Sequence, residues 1–214
     1  NDGMLHGFKA EGSGAGTELL AYVPSPVYDN LSALTASDYS HRFYVDGSPT
    51  AGDVFYASAW HSIVVGGLNK GGQGIYALDV TNPASFAETD SAADATVLWE
   101  FTDADDADLG YTFSQPALVR MQNGKWAAVF GNGYNNTETD GNASADGHAK
   151  LFIVFIGDGA DGIWTVGSDY KKIDTGEGSI TTPNGLATVA PVDEDGDYIV
   201  DFIYAGDLAG NLWK

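Results

Sequence analysis

Three stretches of this chain repeat one another, and repeated short strands have few ways to bury their faces. The first runs from Pro49 through a turn to Trp60, then Ile63-Val64-Val65-Gly66-Gly67 and Gly74-Ile75-Tyr76-Ala77-Leu78-Asp79. The second runs from Pro116 through a turn to Trp126, then Ala127-Ala128-Val129-Phe130-Gly131 and Lys150-Leu151-Phe152-Ile153-Val154. The third runs from Pro191 to Asp201, then Phe202-Ile203-Tyr204-Ala205-Gly206 and Gly210-Asn211-Leu212-Trp213. From the proline to the end of the turn is 11, 10 and 10 residues, from there to the glycine 6, 5 and 5, and the period is 67, then 75. The opening Asn1-Asp2-Gly3-Met4-Leu5-His6-Gly7-Phe8 matches the last strand of a fourth, truncated unit.

β-Branched and aromatic runs separated by Gly, Asn and Asp read as strands joined by turns. A proline at the head of each unit suits the start of a strand, where no ladder hydrogen bond is lost. Such units stacked radially make an all-β propeller. The competing reading is a β-sandwich with accidental self-similarity. The expected organisation is one partial β-propeller over residues 1–214, with blade-like units near 45–80, 112–156 and 187–214 and an N-terminal strand at 1–9. Propellers close with four to eight blades, so three units and a strand predict an open arc, either a fragment of a larger propeller or one whose open sheet edges pair with another copy. Insertions at 19–44 and 132–148 interrupt the pattern. The first holds a candidate helical turn at 29–34, and loops of the second's length are usually functional or mobile.

Composition narrows the partners. The chain has 43% hydrophobic residues, enough for a real core, and nine Lys and Arg against 30 Asp and Glu, a net charge of −21. That charge repels nucleic acid and anionic membranes and favours solubility and divalent cations. The absence of cysteine excludes disulfides, thiolate zinc and thiol nucleophiles. No apolar run approaches the roughly 20 residues that span a bilayer, so membrane insertion is not expected.

The acids concentrate in one place. Asp193, Asp195, Asp197 and Asp201 occupy positions 1, 3, 5 and 9 of a nine-residue loop, with Gly196 at position 4. Ca²⁺ takes six to eight hard oxygens at about 2.3–2.6 Å, and alternate residues of a tight loop can turn their carboxylates inward. Ile199 at position 7 offers only its backbone carbonyl, and Asp201 can close the site. The loop is similar to the first part of an EF-hand loop, but its glycine stands at position 4 rather than 6, and position 12 is Tyr204. The matching turns, Ala57-Ser58-Ala59 and Gln122-Asn123-Gly124-Lys125, carry no acid cluster, which argues against an ordinary solvated turn. Mg²⁺ is the weaker candidate because it keeps its waters and demands an octahedron.

Other features read as structural. Asp103, Asp105, Asp106 and Asp108 lack the alternation and the glycine and are expected to form a solvated loop. His6, His41, His61 and His148 show no zinc-like spacing. The nine cations show no cluster. Gly71-Gly72-Gln73-Gly74 precedes a strand rather than a helix and reads as a hairpin turn.

Taken in order, Asn1-Asp2-Gly3-Met4-Leu5-His6-Gly7-Phe8, Val45-Asp46-Gly47-Ser48-Pro49-Thr50, Trp60-His61, Gly72-Gln73-Gly74-Ile75-Tyr76-Ala77-Leu78-Asp79-Val80-Thr81, Leu109-Gly110-Tyr111-Thr112-Phe113, Phe130-Gly131-Asn132-Gly133-Tyr134 and Ala205-Gly206-Asp207-Leu208-Ala209-Gly210-Asn211-Leu212-Trp213-Lys214 resemble the C-terminal β-propeller of the type IV pilus tip adhesins, the PilC/PilY family. The resemblance implies a quinoprotein-like propeller with a nine-residue calcium loop, its ligands Asp193, Asp195, Asp197, the Ile199 carbonyl and Asp201. It implies an exported protein at the pilus tip or outer cell surface, with pilus subunits or minor pilins and a host or surface receptor as partners. It further implies a role in pilus extension, adhesion and twitching motility, switched by calcium. The alternative is a quinone-dependent dehydrogenase on a related propeller, which would need a stacking Trp, a catalytic Asp beside a metal and a cationic clamp for the quinone carboxylates.

Overall fold

The structure, a computed structural model, describes residues 2–214. Strands β1 (Leu5–Phe8) and β2 (Glu18–Tyr22) form a two-stranded antiparallel sheet. The next four, β3 (Thr50–Tyr56), β4 (Ala59–Gly67), β5 (Gly74–Asp79) and β6 (Val97–Thr102), form an antiparallel meander in chain order. A second meander comprises β7 (Ala117–Arg120), β8 (Trp126–Gly131), β9 (His148–Phe155) and β10 (Tyr170–Gly178). The third has three strands, β11 (Ala190–Val192), β12 (Phe202–Gly206) and β13 (Leu212–Trp213). The all-β architecture is the one the repeat predicts.

Period-two alternation explains how these sheets stack, because successive side chains leave a strand on opposite faces. In β4, Ile63 and Val65 face the second meander, while Val64 packs towards the N-terminal sheet. In β8, Ala128 and Phe130 turn to the first meander, and Ala127 and Val129 turn to the third. β9 divides in the same way, with Phe152 and Val154 on one side and Leu151 and Ile153 on the other. Strands buried on both faces read as unbroken apolar runs, and this is why the sequence shows Val129-Phe130 and Leu151-Phe152-Ile153 without polar interruption. The interface between the first two meanders is aromatic: Phe101 meets Phe152, Trp164 and Tyr170 edge-on, at centroid distances of 5.6, 4.9 and 5.0 Å.

The expected N-terminal strand is one half of a hairpin, because Leu20 and Tyr22 within the supposed insertion pair with Gly7 and Leu5. The helical turn expected at 29–34 lies within a longer 3-10 segment, Ser25–Thr35, which buries Val27. The outermost strands β6 and β10 lie beyond residues 80 and 156. Their sequences, VLWEFT and YKKIDTGEG, share no common pattern, so aligning repeats could not find them. A short helix α1 (Asp90–Thr96), capped by the Thr89 side chain accepting from the Ala92 amide, precedes β6.

Close backbone approach fixes the seam between the second and third meanders. A methyl group at Gly131 would stand 2.5 Å from the Leu186 carbonyl oxygen and 2.6 Å from the Leu186 Cβ. Neither can yield without moving a neighbouring strand connection, so Gly131→Ala is expected to cost about 1–3 kcal/mol. Urea unfolding monitored by circular dichroism reads this as a lowered midpoint, and an unchanged midpoint would show that the seam is soft.

Candidate functional site

In an antiparallel meander, the connections between first and second strands all lie at one end of the sheets. In the first meander this connection is a two-residue turn with Ala57 at φ +48° and Ser58 at φ +66°, the mirror-image turn that matches strand twist. In the second, the Gly124 amide returns to the Met121 carbonyl at 2.8 Å. In the third, the acidic loop of residues 193–201 replaces such a turn. It is anchored at its base: the Asp201 amide donates to the Val192 carbonyl and the Val200 amide to the Arg120 carbonyl, each at 2.9 Å.

The loop folds around its first acid. Asp193 accepts from the amides of Gly196 (2.7 Å), Asp197 (3.2 Å) and Tyr198 (2.8 Å). Asp195 accepts from the Asp197 amide and Asp197 from the Ile199 amide. Reaching this curl requires left-handed backbone at Gly196 (φ +81°) and Tyr198 (φ +67°). The first position is glycine for that reason, and the Tyr198 ring points away from the loop, 84% exposed.

The carboxylates of Asp193, Asp195 and Asp197 converge, with a ligand oxygen of each within 4.8 Å of the others. A cation bonded at about 2.3–2.6 Å bridges oxygens up to roughly 5 Å apart, so this set fits Ca²⁺. Asp201 stands outside that triad. Its carboxylate accepts from the Glu194 amide at 2.8 Å and from the Gln122 side chain at 3.5 Å, which ties the acidic loop to the second meander's turn. Ile199 is half-buried beside it.

The segment at 103–108 departs from expectation. Asp106 and Asp108 are buried rather than solvated, because two lysines from neighbouring strands reach them. Lys172 contacts Asp106 at 2.8 Å and Asp108 at 2.5 Å, and Lys150 contacts Asp108 at 2.8 Å and Asp146 at 2.6 Å. The cations therefore do cluster. Lys150 and Lys172 lie 22 residues apart in sequence but side by side on paired strands β9 and β10. The Tyr170 hydroxyl donates to Asp106, and Ser144 from the 132–148 insertion donates to Asp108. Burial pushes the Asp108 carboxyl up, but the hydrogen bonds from Lys150, Lys172 and Ser144 outweigh it and hold its pKa at about 2. Asp146, His148 and Asp174 also converge here, yet the Lys150 ammonium already supplies their positive charge.

Against this geometry the comparisons with known proteins are decisive. The family described as "PilY1 beta-propeller domain" matches residues 1–214. The chain belongs to the PilY1 β-propeller family. A "Type IV pilus biogenesis factor PilY1 homolog" of Xylella fastidiosa is 43% identical over 222 residues, covering 100% of this chain and 13% of that protein. The "Type IV pilus biogenesis factor PilY1" of Pseudomonas aeruginosa is 41% identical over 217 residues, covering 100% of this chain and 16% of that protein. The crystal structure of the P. aeruginosa PilY1 C-terminal domain superposes with a TM-score of 0.72 at 38% identity, covering 100% of this chain and 36% of that one. The PilY1-type propeller fold is thus shared over the whole chain, while the chain spans only a minor part of these relatives. No helix among the described residues is long and apolar enough to cross a membrane.

Proposed function

We propose that this chain is the calcium-binding β-propeller module of a type IV pilus biogenesis and tip adhesin protein. In this reading the parent is exported and stands at the pilus tip or outer cell surface. It works without catalysis, contacts pilus subunits or minor pilins, and supports pilus extension, twitching motility and adhesion to a receptor. The observation that carries the calcium part is the convergence of three carboxylates in a loop that replaces a hairpin turn. Asp193, Asp195 and Asp197 would hold the ion, with the Ile199 carbonyl and Asp201 completing the shell as the loop tightens. The pilus part rests on the shared family and the names its relatives carry.

A quinone-dependent dehydrogenase would need free cations to clamp the cofactor carboxylates. Lys150 and Lys172, which do converge, are spent on Asp106, Asp108 and Asp146. The functional test places Asp195→Ala in the parent protein, in cells that twitch. The variant is expected to spread less on agar and to carry fewer surface pili at an unchanged level of the protein. Wild-type spreading and piliation by a variant shown to have lost its calcium would overturn the coupling.

A further inference from the structure

At the end of the sheets opposite the acidic loop, three strand connections meet around a cleft of about 370 Å³ lined by Lys70, Tyr111, Phe113, Tyr134, Asn135 and Glu138. Lys70 belongs to the connection from β4 to β5, Tyr111 and Phe113 to that from β6 to β7, and the other three to that from β8 to β9. The antiparallel order of the meanders forces these connections to one end. The cleft is therefore independent of the calcium reading.

The backbone beneath the rings is locked. The Tyr111 amide donates to the Tyr134 carbonyl at 2.7 Å, and the Tyr134 amide returns to the Tyr111 carbonyl at 3.2 Å. A methyl group at Gly133 would lie 1.9 Å from the Tyr111 carbonyl oxygen, and one at Gly185 would lie 1.6 Å from the Gly133 carbonyl oxygen. On this floor the Phe113 and Tyr134 rings stand 5.4 Å apart and tilted by 41°. Phe113 is 39% exposed, so part of its ring stays in water although the scaffold that holds it is rigid.

We propose that this cleft is a binding site for a neutral saccharide. Its volume lies in the roughly 300–1,000 Å³ range of small-molecule sites, which combine apolar walls with a few placed polar groups. A pyranose ring has an apolar C–H face, which suits the negative face of an aromatic ring. Its hydroxyls both donate and accept, so they can satisfy the Asn135 amide, the Glu138 carboxylate and the Lys70 ammonium together. Electrostatics select against an anionic sugar. Burial, and after it the Glu138, Asp140 and Asp103 carboxylates, push the Tyr111 hydroxyl up to about 12, and the chain as a whole carries −21; Lys70 is the lining residue of opposite sign. A carboxylated sugar would meet net repulsion there.

The test is amide-resolved NMR on this chain, titrated with neutral trisaccharides of glucose, galactose, mannose and N-acetylglucosamine, and separately with sialyllactose. At least one neutral sugar is expected to shift the amides of Tyr111, Phe113, Tyr134 and Asn135 at millimolar concentration, with chelator as with calcium. Phe113→Ala, at a half-open position where the fold should survive, is expected to weaken that sugar about tenfold. The proposal is overturned if no neutral sugar moves these signals, if Phe113→Ala binds as well as wild type, or if sialyllactose binds more tightly than every neutral sugar.

Discussion

Replacing Lys150 by Met is expected to destabilise the chain by about 3–5 kcal/mol, the usual cost of removing one partner from a buried ion pair. The lysine side chain is only 4% exposed and lies within 2.8 Å of Asp108. Without it, Asp108 keeps Lys172 but loses its best-buried counter-charge, while Asp146, at 34% exposure, can turn partly to water. The lower end of the range is therefore the expectation. For a chain of this size, roughly 2–4 °C per kcal/mol makes this a fall in Tm of about 6–12 °C. Adding Asp108→Asn to the variant should recover part of the loss, since the interaction energy of contacting residues is not additive.

Acid titration gives a second readout of the same network. The Asp108 pKa is held at about 2, below the ordinary 3.8, so the unfolded chain binds more protons between those values. Its contribution, about 2 kcal/mol, is fully present above about pH 4 and disappears as the pH falls towards 2. Burial and the Lys150 bond act in opposition on Asp146 as well, and the net shift is also downward. Wild-type Tm should fall steeply across that window, and Lys150→Met should flatten the slope. Parallel acid profiles in the two proteins would show that the lysine does not set these carboxylates.

What the sequence made legible, and what it hid, follows from whether the relevant contacts are local. The nine-residue acidic loop is local: Asp at positions 1, 3, 5 and 9 and a Gly at position 4 can be read without knowing any neighbour. The inner three strands of each meander are legible too, because burial on both faces leaves apolar runs bounded by Gly. The ion network was missed because it is assembled from Asp106, Asp108, Lys150 and Lys172, which three different stretches of chain bring together. Charges at 103–108 look solvated until β9 and β10 place two ammonium groups over them. One signal was available: Lys150 stands at the head of the apolar run Leu151-Phe152-Ile153-Val154, and a lysine entering a buried strand needs a carboxylate partner. The saccharide cleft was hidden for the same reason, since its rings come from two separate connections and its lysine from a third.

The acidic loop gives the other large effect. Wild-type chain is expected to bind one Ca²⁺ by calorimetry and to gain about 2.7 kcal/mol at a calcium concentration a hundredfold above Kd, roughly 5–10 °C in Tm. Asp195→Ala should abolish both effects, yet melt like wild type in chelator, because the Asp195 carboxylate accepts only the Asp197 amide, at 3.2 Å. Asp193→Ala should behave differently. Its carboxylate collects three amides, from Gly196, Asp197 and Tyr198, so it shapes the loop as well as facing the ion, and this variant should lose stability even in chelator. Charge repulsion gives the direction of the coupling. Three exposed carboxylates a few ångströms apart repel one another, and the amides that bond to them compensate only in part, so amides 194–199 should exchange faster with solvent in chelator than in calcium. The protection should extend to β12, because Asp201 closes the loop at its base through the Val192 carbonyl and Phe202 follows directly as the first residue of that strand. Equal calcium responses in wild type and Asp195→Ala would place the ion elsewhere, and calcium-independent exchange at 202–206 would confine the effect to the loop and remove the route by which it could reach a pilus-facing surface.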